Sequence, residues 1–378
     1  MRSNIVGRVV ATTVAVTSIA VGVPAVATAG DLPGFAGRQQ IERALGQLVA
    51  DGSPPGGQVV VTEHGRSREV ARGSGDLRTG KPFPRESRIR IGSNTKTFVA
   101  AVVLQLVAEG KVNLDAPIER YLPGVVRGEG NDGTRISVRQ LLQHTSGLPD
   151  YVRVTDIYAN RWKSVEAGKL IKAAMTLKPD FAPGTGWTYS NTNYILAGLL
   201  VEKVTGKPVS TEITRRIITP LRLENTYYPR PGDTGIKGPH PRGYETTETG
   251  ALIDYTEQNP SWGGAAGAMI STGEDLNRFF TALLAGRVVP PAQLAEMKRT
   301  VASAEQPGGY GLGLIRNLTS CGKDLWGHGG SIPGFRTRGG VTTDGRAVNV
   351  TVNQIVPEQN GSADVLKVAD VAICGTHP

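Results

Sequence analysis

Residues 95–109 carry apolar side chains on nearly every face of a helix, from Phe98 and Val99 through Leu104 and Val107. A helix of that kind belongs inside a protein, so the rest of the chain must close around it. Residues 193–204, rich in Leu, Ala and Val, make the same demand. With 378 residues and 39% hydrophobic content the chain can enclose both, as one large domain or two interleaved ones.

The two ends of the chain read differently. Ile41, Leu45, Leu48 and Val49 recur at helical spacing until Asp51-Gly52-Ser53-Pro54-Pro55-Gly56-Gly57 stops the helix. Residues 58–63 form a β-branched run that His64-Gly65-Arg66 turns toward a second extended segment at 68–72, a hairpin pattern. Residues 324–326, 335–341 and 347–355 read as strands between Gly-rich turns, and 364–373 as a closing apolar helix. These features predict an α+β protein. One antiparallel sheet is contributed by both ends, 30–90 and 300–378, and flanked by their helices, with a mainly helical domain of 91–299 inserted between them. Residues 231–250 are loop-rich and fit a surface excursion or a lid.

At the N-terminus Arg2 and Arg8 precede an uncharged run that closes on Ala27-Thr28-Ala29. This predicts a secretory signal spanning 1–29 and a secreted, soluble mature protein, with an uncleaved anchor as the alternative. Removing the signal lowers the formal net charge of +9 by two arginines, and the remaining surplus is spread without any block of Lys or Arg. That pattern argues against a nucleic-acid partner, and the only long apolar stretch being the predicted signal argues against stable insertion in a membrane. In an oxidising compartment the only two cysteines, Cys321 and Cys374, read as a disulfide, whose loop closure contributes about 4 kcal/mol on the chain-entropy argument. The five histidines are scattered and none has zinc-site spacing, so no metal is expected.

Chemistry concentrates in three places. Ser93-Asn94-Thr95-Lys96 opens the apolar helix and sets a hydroxyl and an amine one turn apart on one face. A serine hydroxyl is a poor nucleophile until a neighbouring base takes its proton, and a lysine serves once desolvation lowers its pKa. A second Ser-x-x-Lys, 320–323, lies beside a cysteine and a glycine with no helix to align it, and is read as accidental. Tyr189-Ser190-Asn191 follows the turn Ala182-Pro183-Gly184-Thr185-Gly186 and can present a phenol and an amide to a cleft. Tyr158-Ala159-Asn160 repeats the spacing without that setting. In Trp326-Gly327-His328-Gly329-Gly330-Ser331 a strand reaches a glycine pair that lets a substrate backbone approach. Its N–H groups, with that of Ser93, suit an oxyanion hole.

In this order, and with Leu141-Leu142-Gln143-His144-Thr145-Ser146-Gly147-Leu148, Tyr310-Gly311-Leu312-Gly313-Leu314 and Trp262 between them, the chain resembles the serine β-lactamase and penicillin-binding superfamily. Within it the likeness is to the class C-like branch that includes secreted actinobacterial D-alanyl-D-alanine carboxypeptidases. The resemblance implies a three-layer α/β/α, β-lactamase/transpeptidase-like fold with Ser93 and Tyr189 at the domain interface. It implies Ser93 as acylated nucleophile, Lys96 and Tyr189 as the proton-transfer pair, and Asn191, Trp262, His328, Gly330 and Ser331 as substrate-binding residues. It also implies a Cys321–Cys374 bridge, no cofactor and a structural role for His144.

The implied activity is a D-alanyl-D-alanine carboxypeptidase acting through an acyl-enzyme, with β-lactams as inhibitors and a monomeric protein. Two departures bear on it. Carboxypeptidases of this branch often hold the terminal carboxylate with a hydroxyl residue after the histidine and an arginine just past the Tyr-Gly-Leu-Gly-Leu segment. Here Gly329 and Ile315 stand at those places. A D-aminopeptidase or D-amino-acid amidase, an esterase and a β-lactamase are therefore the rival enzymes, and a penicillin-binding sensor the rival outside enzymes.

Overall fold

The structure, a computed structural model, describes residues 37–50, 54–230, 232–355 and 362–375, so the predicted signal sequence lies outside it. The N-terminal part forms a helix α1 (Arg38–Leu48) and the predicted hairpin, β1 (Gly56–Glu63) with β2 (Arg66–Gly73). Three helices dominate the middle: α2 (Thr95–Ala108), α3 (Asn191–Thr205) and α4 (Gly273–Leu284). The C-terminal part adds β3 (Ile315–Leu318), β4 (Asp324–Gly327), β5 (Gly330–Ile332), β6 (Phe335–Thr342), β7 (Ala347–Val352) and a last helix α5 (Ser362–Cys374).

The sheet runs β2-β1-β7-β6-β4-β3, with β5 paired to the end of β6, and every pairing is antiparallel. Alternation along the strands divides its two faces. Val59, Val61, Val348, Val350 and Val352 pack with Ile41 and Leu45 of α1 and with Val368, Ala372 and Ile373 of α5. On the other face Val60 and Asn349 meet the start of α4 at Gly273, and Asn277 of α4 donates to the Val60 carbonyl at 3.1 Å. The result is an antiparallel sheet between two helical layers. The strand predicted at 347–355 stops at Val352 because Asn353 turns its side chain to the backbone: its Oδ1 accepts from Gly56 N–H at 2.9 Å, and its Nδ2 donates to the Ser74 and Arg242 carbonyls.

Helix α2 is enclosed as its composition demands, with every residue from Thr95 to Leu104 buried and Phe98 stacked 3.8 Å from Phe279 of α4. Thr97 ties it to the segment before β3 through the Gly313 carbonyl, 2.7 Å away. The excursion at 231–250 is anchored rather than lid-like. Its hairpin, Tyr244–Thr246 with Leu252–Asp254, bonds to Asn353 and Gly334, and none of its described residues lines the cleft that holds Ser93. A disulfide joins Cys321, in the turn between β3 and β4, to Cys374 at the end of α5. Among the described residues no helix is long and apolar enough to cross a membrane.

Candidate active site

Ser93 sits in a one-turn 3-10 helix, Gly92–Asn94, that leads directly into α2. The turn is pinned from behind by Met269, whose carbonyl accepts from Ile91 N–H at 3.0 Å and whose N–H donates to Thr95 Oγ1 at 3.1 Å. In front it meets β5. A Cβ on Gly330 would lie 1.9 Å from the Ile91 carbonyl oxygen, and one on Gly92, where φ is +48°, would press on the Ser331 backbone. Only glycines allow the Ser93 turn and the strand to come this close, which brings the backbone of Ser331 beside that turn.

Lys96 is wholly buried on the first turn of α2, and its Nζ has three partners: Ser93 Oγ at 3.1 Å, Asn191 Oδ1 at 2.7 Å and the Ala266 carbonyl at 2.8 Å. Burial pushes its pKa down to about 7, against the opposing charge of Asp150. An amine that is largely neutral just above pH 7 can accept a proton from the hydroxyl beside it. Tyr189 faces the same group, its ring 4.8 Å from Nζ. Burial pushes this phenol up, and the Ser93 hydroxyl pulls the other way.

Tyr189 and Asn191 are presented by the entry into α3, whose N-cap is Ser190. His144, set aside on sequence, stands directly behind them. Its Nδ1 accepts from Ser190 N–H at 3.2 Å and from Asn193 Nδ2 at 3.1 Å, and its ring packs 4.3 Å from that of Tyr189. Two donors on Nδ1 put the hydrogen on Nε2, and burial holds the ring neutral. Sequence reasoning missed Asp150. Its Oδ2 accepts from both the backbone N–H and the Nδ2 of Asn191, at 3.1 and 2.8 Å. The sequence offers only an aspartate after a proline at the start of a turn, which reads as an ordinary cap.

The opposite wall is the sheet. His328 bonds Tyr310 Oη through Nε2 at 2.9 Å and the Gly329 carbonyl through Nδ1. A carbonyl only accepts, so Nδ1 carries the hydrogen and Nε2 takes the Tyr310 O–H. Burial lowers the pKa of this imidazole to about 3, so it is neutral. Ile315 is apolar and lines the cleft, while Arg316 points away and pairs with Asp324 at 2.9 Å. The cation on this wall belongs to Arg338 of β6. A Cβ on Gly329 would lie 2.6 Å from its Nη1, so the missing side chain makes room for the guanidinium, which donates to the Thr337 and Gly330 carbonyls.

The two walls enclose a cleft of about 840 Å³. Ser93, Tyr189, Asn191, Trp262, His328 and Ser331 all line it, and Gly330 forms its floor strand without lining it. Aromatic side chains supply much of the rest, with Tyr151 tied to Trp262 by a 2.6 Å bond from its hydroxyl to the Trp262 carbonyl. The second Ser-x-x-Lys is not a site, since Lys323 pairs instead with Asp344.

A serine on a helix-leading turn, a desolvated lysine beside it and a phenol opposite, set between an antiparallel sheet and a helical body, are the arrangement of a serine hydrolase with a β-lactamase-type fold. Residues 41–373 match the family model described as Beta-lactamase, and the chain belongs to that family. Among solved structures it is similar to a D-stereospecific amidohydrolase from Streptomyces sp., 39% identical over 90% of this chain and 99% of that one, with a TM-score of 0.81. It is also similar to the D-amino acid amidase of Ochrobactrum anthropi SV3, 29% identical over 88% of this chain and 96% of that one, with a TM-score of 0.77. Among curated proteins it resembles Protein flp of Staphylococcus aureus, 27% identical over 64% of this chain. The chain spans about half the length of the curated relatives it matches (48% of that protein).

Proposed function

We propose that this protein is a secreted D-stereospecific amidohydrolase that cleaves amides of D-amino acids through a Ser93 acyl-enzyme. The observation that carries the substrate class is the sheet wall: His328 is neutral, with both ring nitrogens engaged, and Ile315 is apolar. A substrate without a terminal carboxylate suits that wall. The likeness to two enzymes named for D-amino acid amides and D-stereospecific amidohydrolysis, over most of both chains, supports the same reading.

In this mechanism Ser93 Oγ gives its proton to neutral Lys96 as it attacks the substrate carbonyl. Lys96 is the base and Tyr189 stays a phenol, because burial lowers the amine's pKa and raises the phenol's. The N–H groups of Ser93 and Ser331 hold the oxyanion. The proton passes by way of Tyr189 to the departing amine, the C–N bond breaks, and water then hydrolyses the ester with Lys96 again taking the proton. β-Lactams acylate the same serine and act as inhibitors.

A D-alanyl-D-alanine carboxypeptidase is the second reading, favoured by the guanidinium of Arg338 beside Gly329. The two separate in one experiment, which follows product release from a D-amino acid amide, from diacetyl-lysyl-D-alanyl-D-alanine and from a short-chain ester, each with Ser93→Ala alongside. Ser93-dependent ammonia release from the amide, with the peptide left intact, is the expected outcome. D-Alanine release from the peptide moves the function to the carboxypeptidase. Turnover that survives in Ser93→Ala overturns the site.

A further inference from the structure

The geometry points to Asp150 as a positioning residue that aims the lone pair of Lys96 at Ser93 by fixing which way the Asn191 amide faces. The inference rests on the assignment of Ser93 and Lys96 above. A neutral lysine amine has two N–H bonds and one lone pair. Two of the three partners of Lys96 Nζ, Asn191 Oδ1 at 2.7 Å and the Ala266 carbonyl at 2.8 Å, are oxygens with no hydrogen to give. They take both N–H bonds, so the lone pair is left facing the third partner, the Ser93 hydroxyl at 3.1 Å.

That arrangement holds only while Asn191 turns its oxygen toward Lys96. A flipped amide would offer an N–H to the lysine and consume the lone pair that the serine needs. The carboxylate of Asp150 forbids the flip. Its Oδ2 accepts at 2.8 Å from Asn191 Nδ2 and at 3.1 Å from Asn191 N–H, and an amide oxygen turned toward it would meet an oxygen that cannot donate. Asp150 is itself held, since Oδ1 accepts from Val152 N–H at 3.1 Å. Asp150 does not itself line the cleft, and its bonds toward Lys96 run through Asn191, so it acts through that amide.

Its charge adds a second, separable effect. The groups around Lys96 are the rings of Tyr189 and Tyr194, the neutral imidazoles of His144 and His328, and the amide of Asn191, with Arg338 acting on Tyr189 and His328. Against these, the carboxylate of Asp150 raises the lysine's pKa while burial lowers it. Without that carboxylate the amine deprotonates at lower pH, so the acid limb of the rate profile moves down even as the plateau falls.

The test is hydrolysis of p-nitrophenyl acetate, which reads Ser93 reactivity whatever the natural substrate, across pH 5 to 10 on the order of one unit per step. It uses the full-length protein and the variants Asp150→Asn, Asn191→Ala, the double variant and Ser93→Ala. Asp150→Asn is expected to lower the plateau about tenfold and to shift the acid limb to lower pH. The double variant is expected to have the plateau of Asn191→Ala alone, because the loss travels through that amide. A plateau in Asp150→Asn within about twofold of the parent, or independent losses that multiply in the double variant, would overturn the role of Asp150. If Ser93→Ala keeps the ester activity, it is the underlying site assignment that fails. Should Asp150→Asn not fold, Asp150→Ser, which can still cap Val152 but falls short of Asn191, is read in the same cycle.

Discussion

The helical and sheet walls of the cleft use their polar groups in opposite ways. On the helical wall Asp150, Asn191 and Lys96 form a chain of donors and acceptors that ends at the Ser93 hydroxyl. On the sheet wall His328 turns inward, satisfied by Tyr310 and by its neighbour's carbonyl, and the strand presents backbone and the Arg338 guanidinium instead. Charge that changes with pH therefore sits on the helical wall, and charge that does not sits on the sheet wall. On the proposed mechanism, proton transfer and substrate choice are separated across a single cleft, so changes on one side can alter one property and leave the other.

Four substitutions probe this division. The largest effect belongs to Ser93→Ala, which is expected to remove turnover of every substrate by roughly four to six orders of magnitude with the melting temperature unchanged. Lys96→Met follows, with a loss of about 10²- to 10⁴-fold and disappearance of the acid limb. The sign in the parent follows from a lysine pKa of about 7: below it the ammonium has no lone pair, so kcat/KM rises with pH through that value and levels above it. A parent rate that falls across that range would place the working base elsewhere. On the sheet wall Arg338→Met is expected to weaken about tenfold the inhibition of amide hydrolysis by a peptide with a free carboxylate and to leave amide hydrolysis itself unchanged, measured as the inhibition constant beside kcat/KM for the amide. The smallest effect is assigned to His328→Gln, which exchanges one neutral group for another and is expected to lower kcat/KM less than about tenfold with the acid limb unmoved. A shifted limb in this variant would mean that both walls titrate.

The elements that were plain in the sequence are those with a strong local pattern. The hairpin of β1 and β2, the all-apolar α2 and the closing helix α5 follow from side-chain period and composition. Ser93, Lys96, Tyr189, Asn191, Trp262, His328 and Ser331 were named through the family resemblance that their motifs carry, and the fold sets all but the buried Lys96 in the lining of one cleft, with Lys96 bonded to Ser93 behind it. The end of β7 was misjudged because Asn353 leaves the ladder to bond three separate backbone segments. No local pattern encodes partners that far away. The cation opposite Gly329 escaped notice for a related reason: Arg338 lies on the next strand, and only the register of β5 on β6 brings it across.

The sequence by itself determined which groups can react, since a hydroxyl, an amine and a phenol keep their chemistry wherever they stand. It also determined which segments had to be buried, because apolar surface is driven from water whatever the topology. Tertiary structure alone decided the protonation states. The pKa of Lys96 near 7, the neutral His328 and the fixed orientation of the Asn191 amide depend on desolvation and on partners from distant segments, Asp150, Ala266 and Tyr310. Those are properties of enclosed space, which exists only once the chain has closed around α2.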